Sequence, residues 1–220
     1  MTYDGPLQQS RKDPVDGLKE KGLSAGYERM SKEDQEMPKL TQAEIMAFLQ
    51  ERGHLARIAT INAEGAPSVV PVWFICEQGK IIITPRKHSA FYANIQRDPR
   101  VAVTIDEDSG RYRKVLVEGK AEILYTPGHD DVWRDLYRRI SCRYIDDQSA
   151  DYYITETIDQ PRALIAIELA KAKVTTWRMP NESEPYSGIW HKRYYETGSK
   201  MRQQADIGGG GSGGDHLKIG

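Results

Sequence analysis

Between His54 and Thr84 the chain alternates runs of β-forming residues with turns too short to hold a helix. His54–Asn62 (HLARIATIN) closes at Ala63-Glu64-Gly65, Pro67–Cys76 (PSVVPVWFIC) closes at Glu77-Gln78-Gly79, and Lys80–Thr84 (KIIIT) follows at once. The glycine ending each turn supplies the positive φ that a tight reversal needs, so two successive hairpins are expected. A parallel pair would need a crossover of a dozen or more residues. These connections leave no room for one, which excludes a Rossmann-type sheet.

The flanking segments extend the pattern. Thr41-Gln42-Ala43-Glu44 is a capping box, and Ile45, Met46, Phe48 and Leu49 follow at helical spacing, predicting a helix over about 41–52. Ser89–Gln96 reads as a second helix, ending before Arg97-Asp98-Pro99 because proline disfavours helix in the residue before it. Strands are expected at Arg100–Asp106 and Arg113–Leu124, joined by the polar loop Glu107–Tyr112. Thr126-Pro127 predicts the start of a third helix, with the stripe Trp133, Leu136, Tyr137 and Ile140 on one face. Ala163–Trp177 reads as one long final β run. About six strands and three helices joined by short connections predict a mainly antiparallel β-barrel with helices packed outside, an α+β arrangement.

Composition locates this domain within the chain. Residues 40–178 hold 64 hydrophobic residues in 139, whereas the whole chain is only 39% hydrophobic. Residues 1–39 read as a polar N-terminal arm, and 179–207 as a C-terminal tail whose Tyr186, Trp190, Tyr194 and Tyr195 could cover a groove or a partner subunit. Residues 208–220, with GGGGSGG, read as a flexible linker. The chain carries 31 basic and 32 acidic residues, a net charge of −1, so its overall field gives no support for binding nucleic acid or an anionic membrane. The polar start is not a signal peptide, and Cys76 and Cys142 lie far apart without a CxxC. A cytoplasmic protein without a disulfide framework is expected.

The sequence has no GxGxxG after a strand, no P-loop, no HExxH and no GxSxG elbow. The five histidines stand singly, so no metal site is expected, and no catalytic residue is assigned. The densest polar feature is Thr84-Pro85-Arg86-Lys87-His88-Ser89, between a strand end and a helix start. Free N–H groups at a helix N-terminus, two hydroxyls and two cations would cradle a phosphate, and a solvated loop with a Ser N-cap would read the same way.

The order of a helix, LARIATINAEGAPSVVPVWFICEQGKIIIT, SAFYANIQRDPRVAV and RKVLVEGKAEIL resembles the pyridoxamine 5′-phosphate oxidase-like flavoproteins over about 40–178. Three pieces carry the resemblance. They are the turn Gly65-Ala66-Pro67, the helix exit Asn94…Arg97-Asp98-Pro99-Arg100-Val101, and Val117-Glu118-Gly119 in the following strand.

The resemblance implies a split β-barrel of the FMN-binding type and a homodimer with the cofactor in a groove between two barrels. It implies an oxidoreductase that uses FMN, or alternatively a deazaflavin coenzyme, on a small-molecule substrate. A non-catalytic flavin or haem binder is the further alternative. It places the strand Val69–Phe74, with Val70, Pro71, Val72 and Trp73, beside the flavin ring and the turn Thr84–Ser89 at the phosphate, with Asn94 a further cofactor-binding residue. Trp73 reads equally as core. Arg57, mid-strand among apolar residues, reads as a phosphate or substrate contact or as half of an ion pair. Lys114 stands where the oxidase has Gln, at the ring edge, or is an exposed strand lysine. The oxidase's Ser-Arg-Lys is replaced by Ser89-Ala90-Phe91, and its terminal Trp and Arg substrate motif has only Trp177-Arg178 as a loose counterpart, so pyridoxamine phosphate is not the expected substrate.

Overall fold

The computed structural model describes residues 38–108, 112–179, 195–200 and 203. The polar arm, most of the aromatic tail and the glycine-rich linker lie outside the described residues.

Helix α1 (Gln42–Gln50) opens with the capping box, Thr41 Oγ1 accepting from the Glu44 N–H and the Glu44 carboxylate accepting from the Thr41 N–H. Strands β1 (Ala56–Ile61), β2 (Pro67–Val72), β3 (Ile75–Glu77) and β4 (Lys80–Ile83) form the two hairpins. Helix α2 (Ala90–Arg97), β5 (Arg100–Asp106) and β6 (Lys114–Tyr125) follow. A 3₁₀ turn (Asp130–Trp133) leads into α3 (Arg134–Cys142), then α4 (Asp147–Glu156), β7 (Leu164–Glu168) and β8 (Lys173–Trp177).

Every described strand pairing is antiparallel. The strand order is β2-β1-β5-β6-β7-β4-β3, with β8 also on β6. Twelve-residue β6 joins the two halves, pairing β5 and β8 through its first part and β7 through its last. The result is a curled sheet forming a half-barrel with helices against it, the split β-barrel architecture.

Several sequence expectations need correction. Pro67–Cys76 is not one strand but β2 and β3, broken at Trp73-Phe74. The ladder bonds lost there are replaced by Tyr144, whose hydroxyl accepts from the Phe74 N–H at 3.1 Å and donates to the His54 carbonyl at 2.8 Å. The final run is likewise two strands, parted by a 3₁₀ turn at Leu169–Lys171. Thr126 does not cap a helix. Gly128 at φ 103° turns the chain, and helical structure starts at Asp130. The described residues therefore hold eight strands and four α-helices.

Two apolar clusters position the site. Ile81 and Ile83 of β4 and Ile165 and Ile167 of β7 point into the barrel, with Phe48, Ile58, Val103 and Val117. Ile82 and Leu164, on the opposite face, pack with Trp133, Tyr137, Ile140 and Ile154 beneath α3 and α4. The unbroken apolar run Ile81-Ile82-Ile83 thus marks a strand buried on both faces.

Candidate functional site

Where β4 ends, the chain keeps its pairing with the segment before β7. Arg86 bridges Arg162, the Ala163 N–H donates to the Pro85 carbonyl at 2.9 Å, and the Lys87 N–H donates to the Pro161 carbonyl at 2.9 Å. The turn then closes through the Ser89 N–H to the Arg86 carbonyl at 3.0 Å, and α2 begins. Ser89 is the N-cap residue by position, yet its Oγ donates to the Arg86 carbonyl at 2.8 Å instead of capping the helix. The first turn of α2 carries no acid. Its N-terminus therefore keeps N–H donors and partial positive charge that no side chain of its first turn neutralises.

Two cavities of about 310 Å³ flank this turn. The inner one is walled by Val72 at the end of β2 and Trp73 after it, by Thr84, Pro85, Arg86, Ser89 and Phe91, and by Tyr137, Tyr153 and Arg162 from the stretch between β6 and β7. The outer one lies among Arg86, Lys87, His88, Ser89, Gln160 and Pro161. Trp73 lines the inner cavity while stacking on Tyr144 at 5.0 Å and meeting the edge of Tyr153 at 5.9 Å.

Positive charge is concentrated at the inner wall. Arg162 is 8% exposed. Its Nη1 donates to the Thr84 carbonyl at 2.9 Å and its Nη2 to the Tyr153 hydroxyl at 2.9 Å, while its guanidinium carbon lies 4.6 Å from the Tyr137 ring centre. The Arg86 Nη2 reaches the same Tyr153 hydroxyl at 3.2 Å. Burial pushes the Tyr153 phenol up, but the Arg86 hydrogen bond, the Arg162 charge and Tyr137 together outweigh it and bring it below the ordinary tyrosine value. Tyr137, more deeply buried, is pushed up by desolvation.

The remaining sequence-predicted residues fall in three places. Val70 and half-exposed Arg57 lie on the β1–β2 hairpin. Val70 packs against the barrel core, and Arg57 faces outward and pairs with Asp106 at 2.6 Å. Pro71, opposite Arg57 in the register, is exposed on that outer face. Asn94 is buried between α2 and β1, giving a hydrogen bond to Thr60 Oγ1 at 3.0 Å and accepting one from Arg97 at 3.1 Å. Lys114 opens β6 with its ammonium 5.0 Å from the Trp177 ring. The inner cavity thus gathers Val72, Trp73, Thr84, Pro85, Arg86 and Ser89, with Lys87 and His88 in the outer one.

Sequence reading missed Phe91, Tyr137, Tyr153 and Arg162. Arg162, set between a proline and the apolar run ALIAI, was the available signal, since a charge leading into a buried strand calls for a reason. Glu51, His54 and Glu107 bring three potential metal-ligand atoms within 4.8 Å. Their centre is nonetheless organised by Arg113, whose guanidinium bonds Glu51 and Glu107 at 2.7 Å each. The cluster is an ion-pair hub tying α1 to β6.

Comparison with known proteins agrees with this fold. The pyridoxamine 5′-phosphate oxidase family model matches residues 41–177. A conserved hypothetical protein of Mycobacterium tuberculosis shares the fold at 23% identity and TM-score 0.50, covering 66% of this chain and 92% of its own. An FAD-binding protein of Mesorhizobium loti (19% identity, TM-score 0.49, 66% and 99% covered) and the haem storage protein HutZ of Vibrio cholerae (18%, 0.47, 61% and 94%) are also similar. No curated protein matches the sequence at a significant level. The family match runs from the N-cap of α1 to the last residue of β8 and so takes in every element of the barrel, which makes this chain a member of the pyridoxamine 5′-phosphate oxidase family.

Proposed function

We propose that the chain is an FMN-dependent oxidoreductase that acts, as a homodimer, on a small organic substrate by hydride transfer. The observation that carries this reading is the composition of the inner cavity. Its lining combines the cations Arg86 and Arg162 and the hydroxyl-bearing Thr84, Ser89 and Tyr153 with the apolar and aromatic Val72, Trp73, Phe91 and Tyr137. That donor set fits a phosphate next to a planar, apolar ring system. FMN, when bound, supplies the hydride chemistry.

The chain's own residues then bind and shield. Thr84, Ser89, Arg86, Lys87 and the N-terminus of α2 would hold the phosphate, while Val72 and Trp73 would support the ring and exclude water. Arg57, Pro71 and Val69 share the outer face of the β1–β2 hairpin, where Val69 is 61% exposed, and this is the face offered to a second barrel. Lys114 would meet the ring edge from β6.

Titration of the purified protein with FMN, followed by visible absorption and by oxidation of a nicotinamide donor, tests the reading. Saturable binding with turnover is expected. Arg86→Ala with Lys87→Ala should weaken FMN by about 1–3 kcal/mol. A colourless protein that gains no thermal stability from FMN overturns the proposal. Binding of a deazaflavin in its place, or a sharp Soret band with haem, would replace it with one of the alternatives.

A further inference from the structure

A buried guanidinium normally has a carboxylate for company, because desolvating the charge alone is costly. Arg162 has none among the described residues. Two of its five N–H groups are met, by the Thr84 carbonyl and the Tyr153 hydroxyl, and its buried Nε has no acceptor. The carboxylate of Asp130 accepts from the Arg162 backbone N–H, not from its side chain. Arg86, in the same cavity, likewise meets a phenol and no carboxylate among the described residues.

Backbone pairing makes the arrangement stranger still. Arg86 and Arg162 are direct cross-strand partners, and both guanidiniums converge on one neutral hydroxyl. Like charges directly opposite one another destabilise a sheet, so two uncompensated arginines here leave a charge of +2 that a ligand can satisfy. A phosphate monoester near neutral pH carries close to −2, whereas a carboxylate carries −1. Tyr153 accepts from both guanidiniums and so keeps its own proton to donate to a phosphate oxygen. The two residues after Ser89 are Ala90 and Phe91, which add no cation from the turn side.

We propose that Arg162, Tyr153 and Arg86 form a clamp for the dianionic phosphate of a phosphate monoester at the inner end of the cavity. The phosphate comes either from the flavin nucleotide or from the substrate. The first source rests on the cofactor reading above; the second does not.

The test compares FMN, riboflavin and phenyl phosphate on the parent protein, Arg162→Gln and Tyr153→Phe, using calorimetric affinities and melting temperatures. If the clamp holds the nucleotide phosphate, both variants lose at least about tenfold in FMN affinity, while riboflavin binding stays unchanged. If it holds the substrate phosphate, FMN binding is kept and the stabilisation by phenyl phosphate disappears from both variants. A parent that binds no flavin but is stabilised by phenyl phosphate, with the stabilisation lost in the variants, removes the flavin reading and leaves the clamp standing. Tyr153→Phe removes only the shared hydroxyl, so the comparison survives should Arg162→Gln fail to fold. The proposal is overturned if the parent responds to none of the three, if both phosphate responses persist in Tyr153→Phe, or if riboflavin affinity falls as much as FMN affinity.

Discussion

Residues of one chemical type take different parts in this molecule according to what surrounds them. Tyr144 closes a gap in the β2–β3 ladder with its hydroxyl, whereas Tyr153 gathers two guanidiniums. Arg143 spends its guanidinium on the carbonyls of Leu49, Gln50 and Glu51, capping the end of α1, and Arg162 keeps part of its own for a cavity wall. The turn Thr84–Ser89 was legible because its polar residues are contiguous. Arg162 was not, because its partners lie 78 and 9 positions away and no local pattern links them. Cys76 shows the same dependence on surroundings. It is fully buried, and desolvation raises its thiol from an ordinary 9.0 to about 11. The folded state therefore holds the proton after the unfolded chain has released it. This group's contribution to stability is constant below pH 9 and falls between pH 9 and about 11. Cys76→Ala should show a shallower alkaline loss of stability over that window, measured by urea unfolding at stepped pH.

At the level of elements, local chemistry predicted most starts and stops. The capping box placed α1, and the hairpin turns carry Gly65 at φ 81° and Gly79 at φ 73°, the left-handed region their positions implied. The second helix of the insertion between β6 and β7 escaped notice because α4 buries only Ala150 and Ile154, too few to mark a stripe. Gly119 had only a motif to recommend it, and packing explains that motif. A Cβ there would lie 3.0 Å from the Ala172 Cβ, where the turn before β8 crosses β6. Gly119→Ala is expected to cost about 1–3 kcal/mol by overpacking. Ala172→Gly on the same background should return most of it, as read from the shift in chemical-denaturation midpoint. A loss that Ala172→Gly does not relieve would assign the glycine to another cause.

On the scale of the whole molecule, the half-barrel places its candidate site at a rim. The inner cavity opens where β4, the α2 turn and the α3–α4 insertion meet, and the β1–β2 hairpin turns Arg57, Val69 and Pro71 to its outer face. Val69 at 61% exposure and Pro71 make that face apolar around the Arg57–Asp106 pair. A second copy covering it would give a particle of twice 25.0 kDa. Sedimentation should find that mass at micromolar concentration, and Val69→Asp should shift it toward 25.0 kDa. A parent that sediments as a monomer would end the homodimer reading. The sequence alone determined the class of fold, since period-2 apolar runs and glycine turns act over a few residues and forbid parallel crossovers. It also determined the cationic turn that lines both cavities. Tertiary structure alone decided the split of β2 from β3, the joining of the two halves of the sheet by β6, and the meeting of Arg86 with Arg162 across 76 residues of chain. The physical reason is range: turn and helix propensities act between neighbours, whereas the partners of a buried charge are chosen only when distant strands pair and water is expelled between them.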